Sequence, residues 1–179
     1  AIATVISTAT IDTAADVTAN VNSGTATAAQ AATIESNTTG AITATISDGE
    51  MTNLANLGTD AQANNALTIT VTDASVDAAA LNALDAKTTV AIDTDSNVTT
   101  LTGTAAEIAT AISAATIDTA ADVTATVDAG SVAASDLNTI DTNTTTAVDA
   151  DASGITLTGT ASAIATVIST ATIDTAADV

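Results

Sequence analysis

LTGTAAEIATAISAATIDTAADV at residues 101–123 returns at 157–179 as LTGTASAIATVISTATIDTAADV, and a chain that copies itself so closely must build one small unit many times over. The offset is 56 residues, from 101 to 157. LNALDAKTT at 81–89 returns as LNTIDTNTT at 137–145 with the same offset of 56, while AATIESNTT at 31–39 precedes 81–89 by 50. Three related units of 50, 56 and 56 residues therefore make a period of 162, and AIATVISTATIDTAADV, which opens the chain at 1–17, stands again at 163–179. The duplicated ends read as a window on a longer periodic chain, with 1–179 as one continuous stretch of it. One such unit cannot bury its apolar face alone, so its neighbours must complete the core.

Each unit divides again into two halves with a common plan. Segments beginning VTANV (17), ITATI (42), LTITV (67), VTTLT (98), VTATV (123) and ITLTG (155) are short, β-branched and alternating, the pattern of strands. A small turn follows most of them, with Thr25, Ser75, Thr104, Ser131 and Thr160 as candidate helix caps; Thr104 and Glu107 form the T-x-x-E capping-box pattern. Beyond the caps the apolar spacing is helical: Ile108, Ala111 and Ile112, and likewise Ile164, Val167 and Ile168, stand at i, i+3, i+4, while Ala134, Leu137 and Ile140 run at threes. A five-residue strand spans about 17 Å and a ten-residue helix about 15 Å, so the two can lie back to back. The expectation is an α/β solenoid of about 25-residue coils, each with one short parallel strand and one short helix. The alternative is an all-β parallel solenoid.

Composition decides what such layers can contain. There is no Phe, Trp, Tyr, Cys, Pro or His, and many of the 46% hydrophobic residues are Ala. The layers must be thin, built from many small contacts without the large aromatic contribution usual in globular cores. Asp and Glu number 21 against one basic residue, Lys87, for a net charge of −20, which excludes nucleic acid and anionic membranes as partners. Mean hydropathy of +0.42 and regularly spaced Val, Ile and Leu argue against disorder, and no apolar run approaches the ~18 residues of a membrane span.

VTDASVDAAALNALDAKTTVAID and LTGTAAEIATAISAATIDTAAD resemble the Ala- and Thr-rich tandem repeats of very large surface or secreted proteins of marine bacteria, cyanobacteria prominently. The resemblance covers essentially the whole chain. It implies an extracellular or cell-surface location, many tandem copies and a structural or adhesive role, and it carries over no functional residue.

Several chemistries can be weighed against the residues. With no His, Cys or Arg and a single Lys, the usual bases, thiol nucleophiles and oxyanion-binding cations are missing, so the chain is expected not to be an enzyme. Calcium is the candidate ion. DTDSN places Asp93, Asp95 and Asn97 at alternate positions of a loop, and DADASG does the same with Asp149, Asp151 and Ser153 before Gly154. Position 12 of each loop is Thr104 or Thr160, not the bidentate Glu of an EF-hand, and Asp, Asn, Ser and Gly also make ordinary turns.

Equivalent carboxylates form sets: Asp12, Asp118 and Asp174; Asp16, Asp122 and Asp178; Glu35, Asp85 and Asp141. Stacked about 10 Å apart, near the screening length, they would attract divalent cations diffusely and make the fold more stable in salt. Threonines repeat as T-x-T at Thr43 and Thr45, Thr68 and Thr70, Thr124 and Thr126, Thr156 and Thr158, with Asn20 and Thr99/Leu101 as interruptions. On one sheet face such an array resembles the ice-binding faces of some solenoid antifreeze proteins, although Thr suits any exposed strand. Asn37, Asn97 and Asn143 fit the N-glycosylation acceptor pattern weakly.

Together these features point to a structural repeat of an extracellular filament or surface layer, whose partners are copies of itself and divalent cations. An adhesin stalk or an ice-binding solenoid is the alternative.

Overall fold

The apolar spacing of the helical segments is what the structure uses. In a computed structural model that describes residues 2–7, 13–58 and 64–176, the helices are α1 (Ile2–Ser7), α2 (Ala28–Glu35), α3 (Met51–Leu54), α4 (Ala78–Asp85), α5 (Ala105–Ser113), α6 (Ala134–Asn143) and α7 (Ala161–Ser169). Each packs on the next in chain order, forming a row. Ile108, Ala111 and Ile112 of α5 are buried together, as are Ala134, Leu137 and Ile140 of α6. In α7 the same phase buries Val167 but leaves Ile168 exposed.

The strands are β1 (Ala19–Asn20), β2 (Ile42–Thr45), β3 (Ala66–Thr68), β4 (Ser75–Asp77), β5 (Ile92–Asp93), β6 (Thr100–Gly103), β7 (Ile117–Asp118), β8 (Thr124–Val127), β9 (Ser131–Ala133), β10 (Val148–Ala150), β11 (Thr156–Thr158) and β12 (Ile173–Thr175). Every pairing between them is parallel, in sheets ordered β1-β2-β3, β12-β10-β8-β6-β4, β11-β9 and β5-β7. Partners lie roughly 25 residues apart in the chain, as Ile92 with Ile117 and Ser131 with Thr156, because a parallel neighbour can be reached only after a crossover, here a helix in most cases. Alternation sets the faces: Ile42, Ala44 and Ile46 are buried while Thr43 and Thr45 are exposed. The protein is thus mixed α/β with parallel strands.

The six strand segments read from β-branched alternation are all present, but they are only half of the described strands. Between α4 and α5 the chain forms β5 and β6, and between α5 and α6 it forms β7, β8 and β9, so a single strand per helix was too few. These additional strands are two or three residues long and several contain Asp, which strand propensity alone would reject.

They also move the caps. Thr104 and Thr160 cap α5 and α7, accepting from the backbone N–H of Glu107 at 3.3 Å and of Ala163 at 3.2 Å. Ser75 and Ser131 instead start β4 and β9, pairing with Thr100 and Thr156, so α4 is capped two residues later by Asp77 and α6 begins after Ala133 with no side-chain cap. Thr25 yields to Thr27 for the same reason, since Ala26 bridges to Ile46 before the helix starts. There Thr27 and Gln30 make a second capping box.

Neighbouring segments of the chain are stitched by side chains as well as by ladders. The Thr38 hydroxyl donates to Val17 O at 2.5 Å, Thr88 to Leu67 O at 2.8 Å and Thr144 to Val123 O at 2.6 Å; these are the same position in the three units. Asp48 and Asp73 accept from the first N–H groups of α2 and α3, on Ala28 and Met51, each at 2.7 Å. Asn65, 4% exposed, accepts from Ile42 N–H at 3.0 Å and donates to Glu35 Oε1 at 3.2 Å.

Candidate functional site

The two acidic loops lie at the ends of β5 and β10. In the first, Asp93 stands opposite Asp118 of β7 and accepts from the Thr70 hydroxyl at 3.2 Å; Asp95 is exposed and accepts from Ser96 at 3.1 Å. The Asn97 N–H donates to Thr94 O at 3.3 Å. The loop is anchored by Thr94, fully buried, whose N–H and hydroxyl both reach Asp118 O, at 3.0 and 2.8 Å. Sequence reasoning passed over Thr94 in favour of the alternating oxygens around it.

In the second loop Asp149 lies between Thr126 of β8 and Asp174 of β12, and Asp151 folds back so that its N–H points at Asp149 Oδ1, 3.5 Å away. Hydrogen bonding to Asp149 holds the Asp151 carboxyl above its ordinary range; the Asp149 charge, some loss of solvation and the Asp174 charge push the same way. Ser153 is exposed in the turn closed by Gly154, whose φ of 89° suits glycine. The structure therefore brings together Asp149, Asp151 and Asp174 and leaves Ser153 apart. Among the described residues no group of three or more acidic side chains is arranged to hold a metal ion.

A carboxyl that holds its proton more tightly in the folded chain than in the unfolded one costs stability as the pH rises above the ordinary carboxylate range, and costs nothing well below it. Asp149→Ala removes both the hydrogen-bond partner and the charge. The Asp151 titration, followed by its carboxyl carbon shift, is expected to move down, and stability above about pH 4 is expected to rise. An unmoved titration would contradict the pairing.

The carboxylate sets sort differently from their stacking in sequence. Asp12 and Asp178 lie outside the described residues. Asp118 and Asp174 face Asp93 and Asp149 on the adjacent strand, so each has a like charge from outside its own set one strand spacing away, roughly 5 Å. Glu35, Asp85 and Asp141 serve as acceptors: Asp85 from Thr116 at 2.9 Å, Asp141 from Thr172 at 2.5 Å, and Glu35 from Asn65. With like charges so close, thermal unfolding should shift upward by several degrees between low salt and about 0.5 M salt. A flat salt dependence in calorimetry would show that the ladder repulsion is unimportant.

The threonines do not make one array. Thr43, Thr45 and Thr68 belong to the β1-β2-β3 sheet, Thr124 and Thr126 to the five-stranded sheet, and Thr156 and Thr158 to the β11-β9 pair, where they face Ser131 and Ala133. The additional short strands divide what the T-x-T spacing alone would join. The acceptor asparagines bond locally instead: Asn37 donates to Thr33 O at 2.8 Å and Asn143 to Thr139 O at 2.8 Å, while the middle threonines of both NTT motifs are the stitching residues Thr38 and Thr144.

Lys87 reaches across a groove of about 220 Å³ between α3 and α4, lined by Met51, Leu54 and Leu84 among others, and its ammonium donates to Leu57 O at 2.7 Å. It thereby satisfies a carbonyl beyond the short α3. A second cleft, about 370 Å³, opens beside Asn20, Asn22, Ser23 and Gln30 at the α1 end. Neither gathers groups suited to acid–base or nucleophilic chemistry. Among the described residues no helix is long and apolar enough to cross a membrane. Set against family models, curated proteins and solved structures, the chain matches none of them.

Proposed function

We propose that this chain is a non-enzymatic structural repeat: a stretch of an acidic, extracellular β/α solenoid that forms or coats a filament or surface layer. The observation that carries this reading is that helices neighbour one another in strict chain order while all strand pairing is parallel at a separation of roughly 25 residues. A chain with those two properties advances by one layer per coil. Its stability then comes from contacts between successive layers, and length adds cooperativity in place of a deep core.

The side-chain chemistry supports the same role. The recurring polar residues are committed to holding layers together: Thr38, Thr88 and Thr144 across strands, Asp48 and Asp73 on helix ends, and Asp85 and Asp141 on the threonines beyond them. A net charge of −20 keeps such a surface hydrated and gives divalent cations a diffuse role as counterions. Electron cryo-microscopy of the native material tests the proposal. Filaments or sheets whose axial repeat corresponds to the 162-residue period are expected, and discrete finite particles would overturn it.

A further inference from the structure

One layer in the middle of the row is built differently from its neighbours. α3 is four residues long, where α2 and α4 on either side of it have eight each. A single helical turn does not hold itself together, because nucleation fixes several residues for one hydrogen bond. Leu54 is the buried residue within α3, and Leu57 is buried in the turn after it, whereas α2 and α4 each bury three residues inside the helix. The groove of about 220 Å³ runs between Met51, Leu54 and Ala55 on one side and Ala80, Ala83 and Leu84 on the other, so α3 does not close fully on α4. Its N-cap residue, Glu50, makes no side-chain bond to it.

Both ends of this turn are held by charged side chains from later in the chain. Asp73, between β3 and β4, accepts from the Met51 N–H at 2.7 Å, and Lys87, just beyond α4, donates to Leu57 O at 2.7 Å. Each satisfies a backbone group that a helix end leaves open. α2 takes the same kind of contact from Asp48 but adds its own capping box of Thr27 and Gln30. Lys87 is the chain's one basic residue, so no second ammonium can take its place. The strand side of the layer is bonded independently of α3: β3 pairs with β2 from Ala66 to Thr68, and the Val71 N–H reaches Asp93 O at 2.9 Å. The turn can therefore come away without breaking a ladder.

We propose that Met51–Leu57 is a latched lid, which opens as a unit while the strands of its layer and the helices around it stay folded, and that Asp73 and Lys87 are its two latches. Opening uncovers Leu54 and Leu57, drawing on the low-stability end of the molecule. Such a lid belongs to the folded chain by itself, whether or not copies stack into filaments.

The test is native-state hydrogen exchange, read by nuclear magnetic resonance on the intact chain across low urea concentrations. The Leu54 and Ala55 amides, bonded to Glu50 O and Met51 O, are expected to exchange at least about tenfold faster than those of Ile108 on α5 and of Val71, and to respond little to urea because little surface is exposed. Asp73→Ala and Lys87→Met, the latter keeping the aliphatic stem, are each expected to speed the Leu54 and Ala55 amides by about tenfold. Leu137→Ala on α6 is expected to speed the Ile108 amide by about a hundredfold and to leave Leu54 and Ala55 as they were, because the contacts of Leu137 survive opening of the lid. Leu54 exchange as slow as that of Ile108 in the intact chain overturns the proposal without any variant. So does a Leu54 rate that rises with Leu137→Ala, since α3 would then open only with the rest of the chain. Latch variants whose α3 amides exchange as before overturn it as well, and so does a latch variant that fails to fold, because the contact would then hold more than the lid.

Discussion

Leu137→Ala is expected to cost about 3 kcal/mol of unfolding free energy, a large share of the roughly 5–15 kcal/mol that holds a typical domain together. Leu137 is fully buried on α6, which is packed on both sides by α5 and α7, so the truncated side chain leaves a cavity that neither neighbour can collapse into without losing its own contacts. Urea denaturation followed by circular dichroism checks it: the midpoint should fall with little change in slope. Ile168→Ala on α7 is the control, expected to change stability by no more than about 0.5 kcal/mol because that side chain is already 59% exposed. Equal losses at the two positions would contradict the packing. The first unit carries Ala31 at the place of Leu81 and Leu137, and it too is buried. The size of the Leu137 loss therefore measures how closely its own surroundings are fitted to leucine.

Replacing Thr38, Thr88 and Thr144 together by Val should cost about 4 kcal/mol, although each change keeps the side-chain shape. Each hydroxyl donates to a backbone carbonyl about 20 residues earlier and accepts an N–H two residues ahead, from Gly40 at 3.0 Å, Val90 at 3.1 Å and Thr146 at 3.1 Å. Valine leaves donor and acceptor unmatched in a partly or fully buried place, at roughly 1–2 kcal/mol per site. The three sites share no hydrogen-bond partner, so the single variants should add to the triple within about 0.5 kcal/mol. Thr39→Val is the comparison. Its exposed hydroxyl makes one longer bond, 3.3 Å to Ala15 O, and its loss should be small. A triple variant as stable as the parent would show that the strand ladders alone hold the layers.

The sequence alone determined the phase of α5 and α6 and the identity of the main strands. Ile108, Ala111 and Ile112, and Ala134, Leu137 and Ile140, are buried because a helix turning every 3.6 residues brings those positions to one face whatever it packs against. The capping box of Thr104 and Glu107 was equally legible, since both partners lie within four residues of chain. Glu107 shows the same box in charge terms: hydrogen bonds from the Thr104 side chain and backbone favour its ionised form and hold its carboxyl below the ordinary range. These are local interactions, and local spacing encodes them.

Tertiary structure decided whatever depended on a partner roughly 25 residues away. The short strands β4, β5, β7, β9, β10 and β12 exist because a parallel neighbour is in register with them, and they in turn displaced the helix starts from Ser75 and Ser131 and split the threonines among sheets. The acidic loops illustrate the same limit. Alternating oxygens suggested ligands around each of two loops, whereas the structure pairs Asp93 with Asp118 and Asp149 with Asp174 across strands and buries Thr94 on the Asp118 carbonyl. Ile112 and Ile168 are the same residue in the same repeat, one closed and one open. No property of the residue separates them; among the described residues α6 packs over Ile112 and no helix packs over Ile168, because burial is a contact between elements and not a property of either one.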